Sequence, residues 1–148
     1  MNREARAPSL ARTIAPTTED QIAATVLLVD DESIIRQVGS RILMHLGHQV
    51  LEAADGEAAI RVFEEAAGGV DVVMLDLCMP RMDGPTCFEK LRVLDPQVPV
   101  LFASGDIYDR RLKRYLTLDG VRSLKKPFGT ADIMEGILWG LSIRGEQS

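Results

Sequence analysis

Residues 72–84 have the sequence VVMLDLCMPRMDG, in which an apolar run ends at Asp76 and is followed by a Met-Pro and an Asp-Gly pair. We predict that the strand begins at Val70, and its largely apolar character is typical of a strand that is buried on both faces. The Met-Pro and Asp-Gly pairs predict a loop, and residues 85–94 have a pattern that suits a helix. This stretch therefore predicts a strand–loop–helix unit with an acidic side chain at the end of the strand.

The same alternation extends to both sides of this unit. We predict five strands, at residues 25–29, 49–53, 70–75, 98–103 and 121–125, and five helices, at residues 35–46, 56–66, 85–94, 106–118 and 130–141. Strands that alternate with helices in this way are joined by right-handed crossovers. The predicted fold class is therefore α/β, with a doubly wound, five-stranded parallel sheet covered by helices on both faces.

Length, charge, hydropathy and cysteine spacing limit the classes of protein to which the chain can belong. The chain of 148 residues is predicted to hold one domain, residues 25–142, between a flexible N-terminal tail, residues 1–24, and a C-terminal tail, residues 143–148. The net charge of −5 gives no general attraction to nucleic acid or to anionic membranes. No apolar run approaches the roughly 18 residues of a membrane helix. Cys78 and Cys87 have no metal-binding spacing, so we expect no disulfide framework and a cytoplasmic location.

Polar residues occupy four of the predicted strand ends. Asp30 and Asp31 follow the first strand and Asp76 follows the third. Ser104 follows the fourth strand, and Lys126 closes the fifth. In open α/β sheets the binding site lies beyond the carboxyl ends of the strands. The sequence therefore predicts that these five side chains share one site.

Three carboxylates, a hydroxyl and an amine form a set that suits phosphoryl transfer. Clustered carboxylates raise one another's pKa values, and a divalent cation such as Mg²⁺ relieves that repulsion. One carboxylate can act as a nucleophile and form an acyl phosphate. Lys126 and the cation would then neutralise the charge on the transferring oxygens, and the Ser104 hydroxyl would bind one of them.

Each of these residues also has a simpler interpretation when it is taken alone. An aspartate after a strand is often a helix N-cap. Ser104, which precedes Gly105, suits a turn, and a lone lysine such as Lys126 is usually solvated. Only the joint placement at one sheet edge favours the functional interpretation.

Four segments resemble those of response-regulator receiver domains. They are LLVDDE at 27–32, VVMLDLCMPRMDG at 72–84, LFASGD at 101–106 and LKKPF at 124–128. The resemblance covers about residues 25–142 and implies a flavodoxin-like sheet with strand order 2-1-3-4-5 and five helices. It also implies a signalling protein, rather than an enzyme, that a histidine kinase or a histidine phosphotransfer protein phosphorylates and that acts on a downstream protein.

The resemblance assigns a role to each site residue. Asp76 would be the phosphoacceptor. Asp31, Asp76 and the backbone carbonyl of Cys78 would bind Mg²⁺ directly, and Asp30 would act largely through water. Ser104 and Lys126 would bind the phosphoryl group.

Two positions depart from the family pattern. Receivers usually have an aromatic residue, whose rotation reports phosphorylation, three positions before the lysine, and this chain has Ser123 there. Cys78, two positions after the phosphoacceptor, is neither an amide nor an acid, and it could alter the access of water to an acyl phosphate.

Several alternatives remain open at this stage. The chain could be a receiver excised from a hybrid histidine kinase, or a pseudo-receiver that acts only through protein contacts. A phosphatase of the haloacid-dehalogenase type is disfavoured, because Cys78 stands where its second acid would be. The basic run at 110–114 is either a solvated helix face or a docking face for an acidic partner. His45 and His48 are interpreted as surface histidines rather than metal ligands.

Overall fold

The computed structural model describes residues 23–147. Residues 1–22, on which nearly all of the predicted N-terminal tail falls, and Ser148 lie outside the described residues. The elements are β1 (Thr25–Val29), α1 (Ser33–His45), β2 (Gln49–Ala53), α2 (Gly56–Glu65), β3 (Val72–Asp76), α3 (Gly84–Leu94), β4 (Val100–Ser104), α4 (Arg110–Tyr115), β5 (Val121–Lys125) and α5 (Thr130–Gln147).

The five strands form one parallel sheet in the order β2-β1-β3-β4-β5. The predicted fold class, strand order and number of helices are confirmed. In β1, Leu27 and Val29 pack into the apolar layer beneath α2, α3 and α4. The alternate residues Val26 and Leu28 pack into the layer beneath α1 and α5. The strand is therefore continuously apolar because helices cover both faces of the sheet.

Two aspartates start helices at the functional edge of the sheet. A side-chain oxygen of Asp55 accepts a hydrogen bond of 2.8 Å from the backbone N–H of Ala58 at the start of α2. Asp83 does the same for Thr86 in α3, at 3.0 Å. Caps of this kind contribute about 1 kcal/mol each. The Asp-Gly pair at 83–84 therefore begins a helix rather than lying within the loop.

Several boundaries differ from the prediction. Strand β3 begins at Val72 rather than at residue 70, and β4 begins at Val100 rather than at residue 98. Helix α4 is only six residues long, because Asp109 caps it at Arg110.

Helix α5 extends beyond its predicted end, so the predicted C-terminal tail at 143–148 is helical as far as Gln147. Arg144 holds this last part by binding a side-chain oxygen of Asp95 at 2.8 Å and the carbonyl of Val70 at 2.9 Å. Within residues 23–147, no helix combines the length and the apolar character needed to cross a bilayer.

Candidate functional site

The strand order brings the predicted site residues to one edge of the sheet. Asp30 follows β1, Asp76 ends β3, Ser104 ends β4 and Lys126 follows β5. These four strands are successive neighbours in the sheet. Asp30, Asp76 and Ser104 are all buried, with exposed fractions of 2%, 5% and 6%. Their burial is unusual for polar side chains and requires partners within the protein.

Lys126 is the partner that two of the buried acids share. Its Nζ lies 2.8 Å from an oxygen of Asp30 and 3.2 Å from an oxygen of Asp76. The other Asp30 oxygen accepts the backbone N–H of Glu32 at 2.9 Å. The oxygen of Asp76 that faces Lys126 also accepts the N–H of Cys78, at 3.3 Å. Lys126 is thus a partly buried counter-ion and not a fully solvated surface lysine.

These contacts shift the pKa values of the site. Burial raises the pKa of Asp76 to about 6, and the charge of Asp30 adds to the rise, while Lys126 opposes it. Burial lowers the pKa of Lys126, but its hydrogen bond to Asp30 and the charge of Asp76 outweigh this and raise the pKa above its ordinary value. A single lysine therefore does not fully offset the two buried carboxylates.

The donor set fits a hard divalent cation. One oxygen each from Asp30, Asp31 and Asp76 lies within 4.8 Å of the others. Asp31 is exposed, so it meets solvent while the other two acids are enclosed. Mg²⁺ prefers a few carboxylates together with water and phosphate oxygens. The raised pKa of Asp76 shows that its charged form is destabilised in the site, and a cation bound here would stabilise that form.

A cleft of about 380 Å³ opens over these groups. Asp31, Asp76, Cys78, Ser104 and Lys126 all line it. The Ser104 hydroxyl donates to the backbone carbonyl of Asp106 and accepts that residue's N–H, both at 3.0 Å. The structure therefore brings four of the five predicted side chains to one cleft, although Ser104 is bonded to its own loop. Asp30 does not line the cleft but is paired with Lys126, which does. The predicted roles of Ser104 and of the Cys78 carbonyl stay predictions.

A glycine allows the loop after Asp76 to fold closely under the site. A Cβ atom at Gly84 would lie 2.5 Å from the backbone oxygen of Asp76 and 2.8 Å from the Cα of Leu77. The N–H of Gly84 donates to the carbonyl of Leu77 at 2.9 Å, which closes the loop. Residue 84 therefore sets the path of the backbone that carries Asp76, although it contributes no side chain.

Comparison with known proteins identifies the family. Residues 26–138 match the response regulator receiver domain. The chain belongs to this family. It is a receiver domain of two-component signalling, and receivers interact with histidine kinases or phosphotransfer proteins.

Two curated relatives and one solved structure illustrate the likeness. The receiver is 45% identical over 93 residues to the sensor kinase CckA of Brucella abortus (strain 2308), covering 61% of this chain and 10% of that protein. It is 30% identical to the chemotaxis protein CheY of Treponema pallidum (strain Nichols), covering 82% and 92% of the two chains. The crystal structure of the receiver domain from the hybrid histidine kinase CckA superposes with a TM-score of 0.68 at 38% identity, covering 79% and 98%. The chain thus spans a small part of one relative and most of another.

The position of the usual aromatic switch is polar and exposed in this receiver. Ser123 pairs with Phe102 in the ladder between β4 and β5, but its side chain lies at the surface. Tyr115 of α4 is a buried aromatic residue whose ring lies 5.9 Å from the ring of Phe102 and 5.4 Å from that of Phe88. The Tyr115 hydroxyl donates to Glu89 of α3 at 2.7 Å.

Sequence reasoning missed a contact between α4 and the loop that follows Asp76. Nη2 of Arg111 lies 2.9 Å from Sγ of Cys78. No sequence signal pairs these residues, because they are 33 positions apart and Arg111 stands in a run that resembles a solvated helix face. His48, interpreted as a surface histidine, instead accepts the backbone N–H of Ala24 at 3.0 Å and supports the start of β1.

Proposed function

We propose that this receiver accepts a phosphoryl group on Asp76 from a phosphohistidine of a histidine kinase or a phosphotransfer protein, with Mg²⁺ bound. The observation that carries the proposal is the triad formed at an open cleft by two buried carboxylates, Asp30 and Asp76, and the partly buried Lys126. A triad of this kind, with the exposed Asp31 beside it, has the composition of a site for a cation and a phosphoryl group.

The chemistry follows from the positions of the side chains. A carboxylate oxygen of Asp76 attacks the phosphorus, the bond between phosphorus and the donor imidazole nitrogen breaks, and the imidazole keeps the electron pair and takes up a proton. Asp31, Asp76 and the Cys78 carbonyl would hold Mg²⁺ directly and Asp30 largely through water, and the cation would supply positive charge to the phosphoryl oxygens. Lys126, 3.2 Å from Asp76, adds a second positive charge, and the hydroxyl of Ser104 can bind an oxygen after it leaves Asp106.

The product of this reaction is the modified chain itself, so we propose a signalling protein and not an enzyme with a separate substrate. A pseudo-receiver is disfavoured, because every acidic and basic group that the chemistry needs is present around the cleft. The likeness to the sensor kinase CckA supports a phosphohistidine as the donor. Cys78 and Cys87 are free thiols, which supports a cytoplasmic location.

Intact-mass measurement after incubation with acetyl phosphate and Mg²⁺ tests this proposal. The wild-type chain should gain the mass of one phosphoryl group, and EDTA should prevent the gain. Asp76→Asn should stay unlabelled, whereas Asp119→Asn, at an exposed aspartate far along the chain, should label normally. Labelling of Asp76→Asn to the wild-type level would show that the phosphoacceptor is another residue.

A further inference from the structure

Arg111 of α4 reaches across to the loop that carries Asp76. Its Nη2 lies 2.9 Å from Sγ of Cys78. Cys78 lines the cleft, and its N–H donates to a carboxylate oxygen of Asp76 at 3.3 Å. The guanidinium group therefore contacts a residue that lines the cleft, although Arg111 does not line the cleft itself.

Asp109 holds this guanidinium group in place. One oxygen of Asp109 accepts the Arg111 backbone N–H at 2.9 Å and Nε at 3.1 Å, and the other accepts Nη2 at 2.9 Å. These hydrogen bonds hold the pKa of Asp109 at about 2, so it stays ionised. Among residues 23–147, Nη1 of Arg111 makes no hydrogen bond, which leaves donors available to a ligand.

The contact with Cys78 is the weakest that Arg111 makes, because a thiol is a poor hydrogen-bond acceptor. A phosphoryl group carries a charge of about −1.5 to −2 and strong acceptor oxygens. Arginine binds such groups in a bidentate manner through its planar guanidinium. A phosphoryl group in the cleft would therefore displace the thiol as the partner of Arg111.

We propose that Arg111 is an additional phosphoryl-binding residue, which exchanges its contact with Cys78 for the phosphoryl oxygens when Asp76 is modified. The proposal rests on the phosphorylation of Asp76 proposed above. It differs from the role of Lys126, because Lys126 is already paired with Asp30 and Asp76 in the unmodified chain. It also links the modification directly to the first turn of α4.

Titration of the full chain with beryllofluoride, a mimic of the phosphoryl group, in saturating Mg²⁺ tests this role. We expect Arg111→Ala to weaken beryllofluoride binding about tenfold, which corresponds to one charge-assisted contact. Arg111→Lys should recover part of the affinity. The adjacent and exposed Arg110 provides the matched control, and Arg110→Ala should change the affinity less than about twofold.

A second control separates phosphoryl binding from the stability of α4. Asp109→Asn keeps a side-chain oxygen that can cap α4 but removes the ion pair that orients the Arg111 guanidinium, so it should weaken binding less than Arg111→Ala does. The rise in melting temperature with Mg²⁺ alone should be the same in Arg111→Ala and wild type.

Two results would overturn the proposal: unchanged affinity in Arg111→Ala, or an equal loss of affinity in Arg110→Ala. If the wild-type chain neither binds beryllofluoride nor accepts a phosphoryl group, the proposed function fails and this inference fails with it. If the wild type does both and Arg111→Ala matches it, only this inference fails.

Discussion

Asp76 is a carboxylate whose burial makes the stability of the metal-free protein depend on pH. Its pKa is raised from 3.8 to about 6, chiefly by burial and then by the charge of Asp30. The folded state therefore binds this proton more tightly than the unfolded state does. The resulting stabilisation is fully present below pH 3.8 and is lost as the pH rises through about 6.

Asp76→Asn should remove this penalty, because an amide carries no charge at any pH. In EDTA near pH 7.5, the free energy of unfolding of Asp76→Asn should exceed that of wild type by about 2 kcal/mol. This difference between the two proteins should shrink near pH 4.5. Urea unfolding at the two pH values measures it. Asp119→Asn should show no such pH-dependent difference, and a difference for Asp76→Asn that is independent of pH would contradict the argument.

The identities of the site residues could be predicted from the sequence, but their pairings could not. Asp30, Asp76 and Lys126 each follow or end a strand, and the strand-end rule places them together without any knowledge of side-chain conformation. The shared ion pair of Lys126 and the contact of Arg111 with Cys78 depend on side-chain rotamers and on where α4 lies. No local sequence pattern predicts side-chain rotamers or the position of α4.

At the scale of elements, the strand–loop–helix unit that joins β3 to α3 leaves no space for a side chain at residue 84. Gly84→Ala should lower the free energy of unfolding by about 1–3 kcal/mol, because the methyl group meets backbone atoms that cannot move aside. Gly145→Ala is the matched control, since its methyl group meets nothing within 4 Å, and it should stabilise α5 by up to about 1 kcal/mol. Equal effects of the two substitutions in urea unfolding would contradict this account.

Helix α4 is the element that we expect to respond most to phosphorylation. It has six residues, and only Leu112 and Tyr115 are buried. The Ser104 hydroxyl binds the backbone of Asp106 in the loop that leads to α4. If this hydroxyl turns toward a phosphoryl group, it releases that loop. Ser123 is exposed and offers no ring to fill a vacated space.

Backbone NMR shifts on addition of beryllofluoride and Mg²⁺ should therefore be largest in residues 104–118 and smaller in β5. Tyr115→Phe keeps the ring but removes the 2.7 Å bond to Glu89, so amide exchange in α4 should be faster than in wild type. Large shifts confined to α1 and α2 would show that the output route does not pass through α4.

The boundaries of elements were harder to predict than their order, for reasons that the structure shows. Val70 is apolar and is included in the predicted strand, but the side chain of Asp71 accepts the backbone N–H of Thr25 at 2.8 Å before β3 begins at Val72. Pro99 delays β4, because proline has no N–H to donate to the ladder. The end of α5 depends on Arg144 meeting Asp95, which are 49 positions apart.

At the scale of the whole molecule, cation binding should be measurable as global stability. A ligand that binds only the folded state stabilises it by about 2.7 kcal/mol at 100 times its dissociation constant. Mg²⁺ should therefore raise the melting temperature of the wild-type chain. Asp31→Asn should fold as well as wild type in EDTA, because Asp31 is exposed, yet it should lose most of this rise. A full Mg²⁺ response in Asp31→Asn would exclude Asp31 as a ligand.

The close approach at Gly84 has a consequence for engineering. A designer who copied the acids, the hydroxyl and the lysine onto another parallel sheet would reproduce the five predicted side chains at the strand ends. The graft would still need a residue without a side chain eight positions after the aspartate that stands for Asp76, because any Cβ there meets the backbone oxygen of that aspartate. The smallest part that could be grafted is therefore a stretch of backbone with a defined path, together with the side chains that it carries.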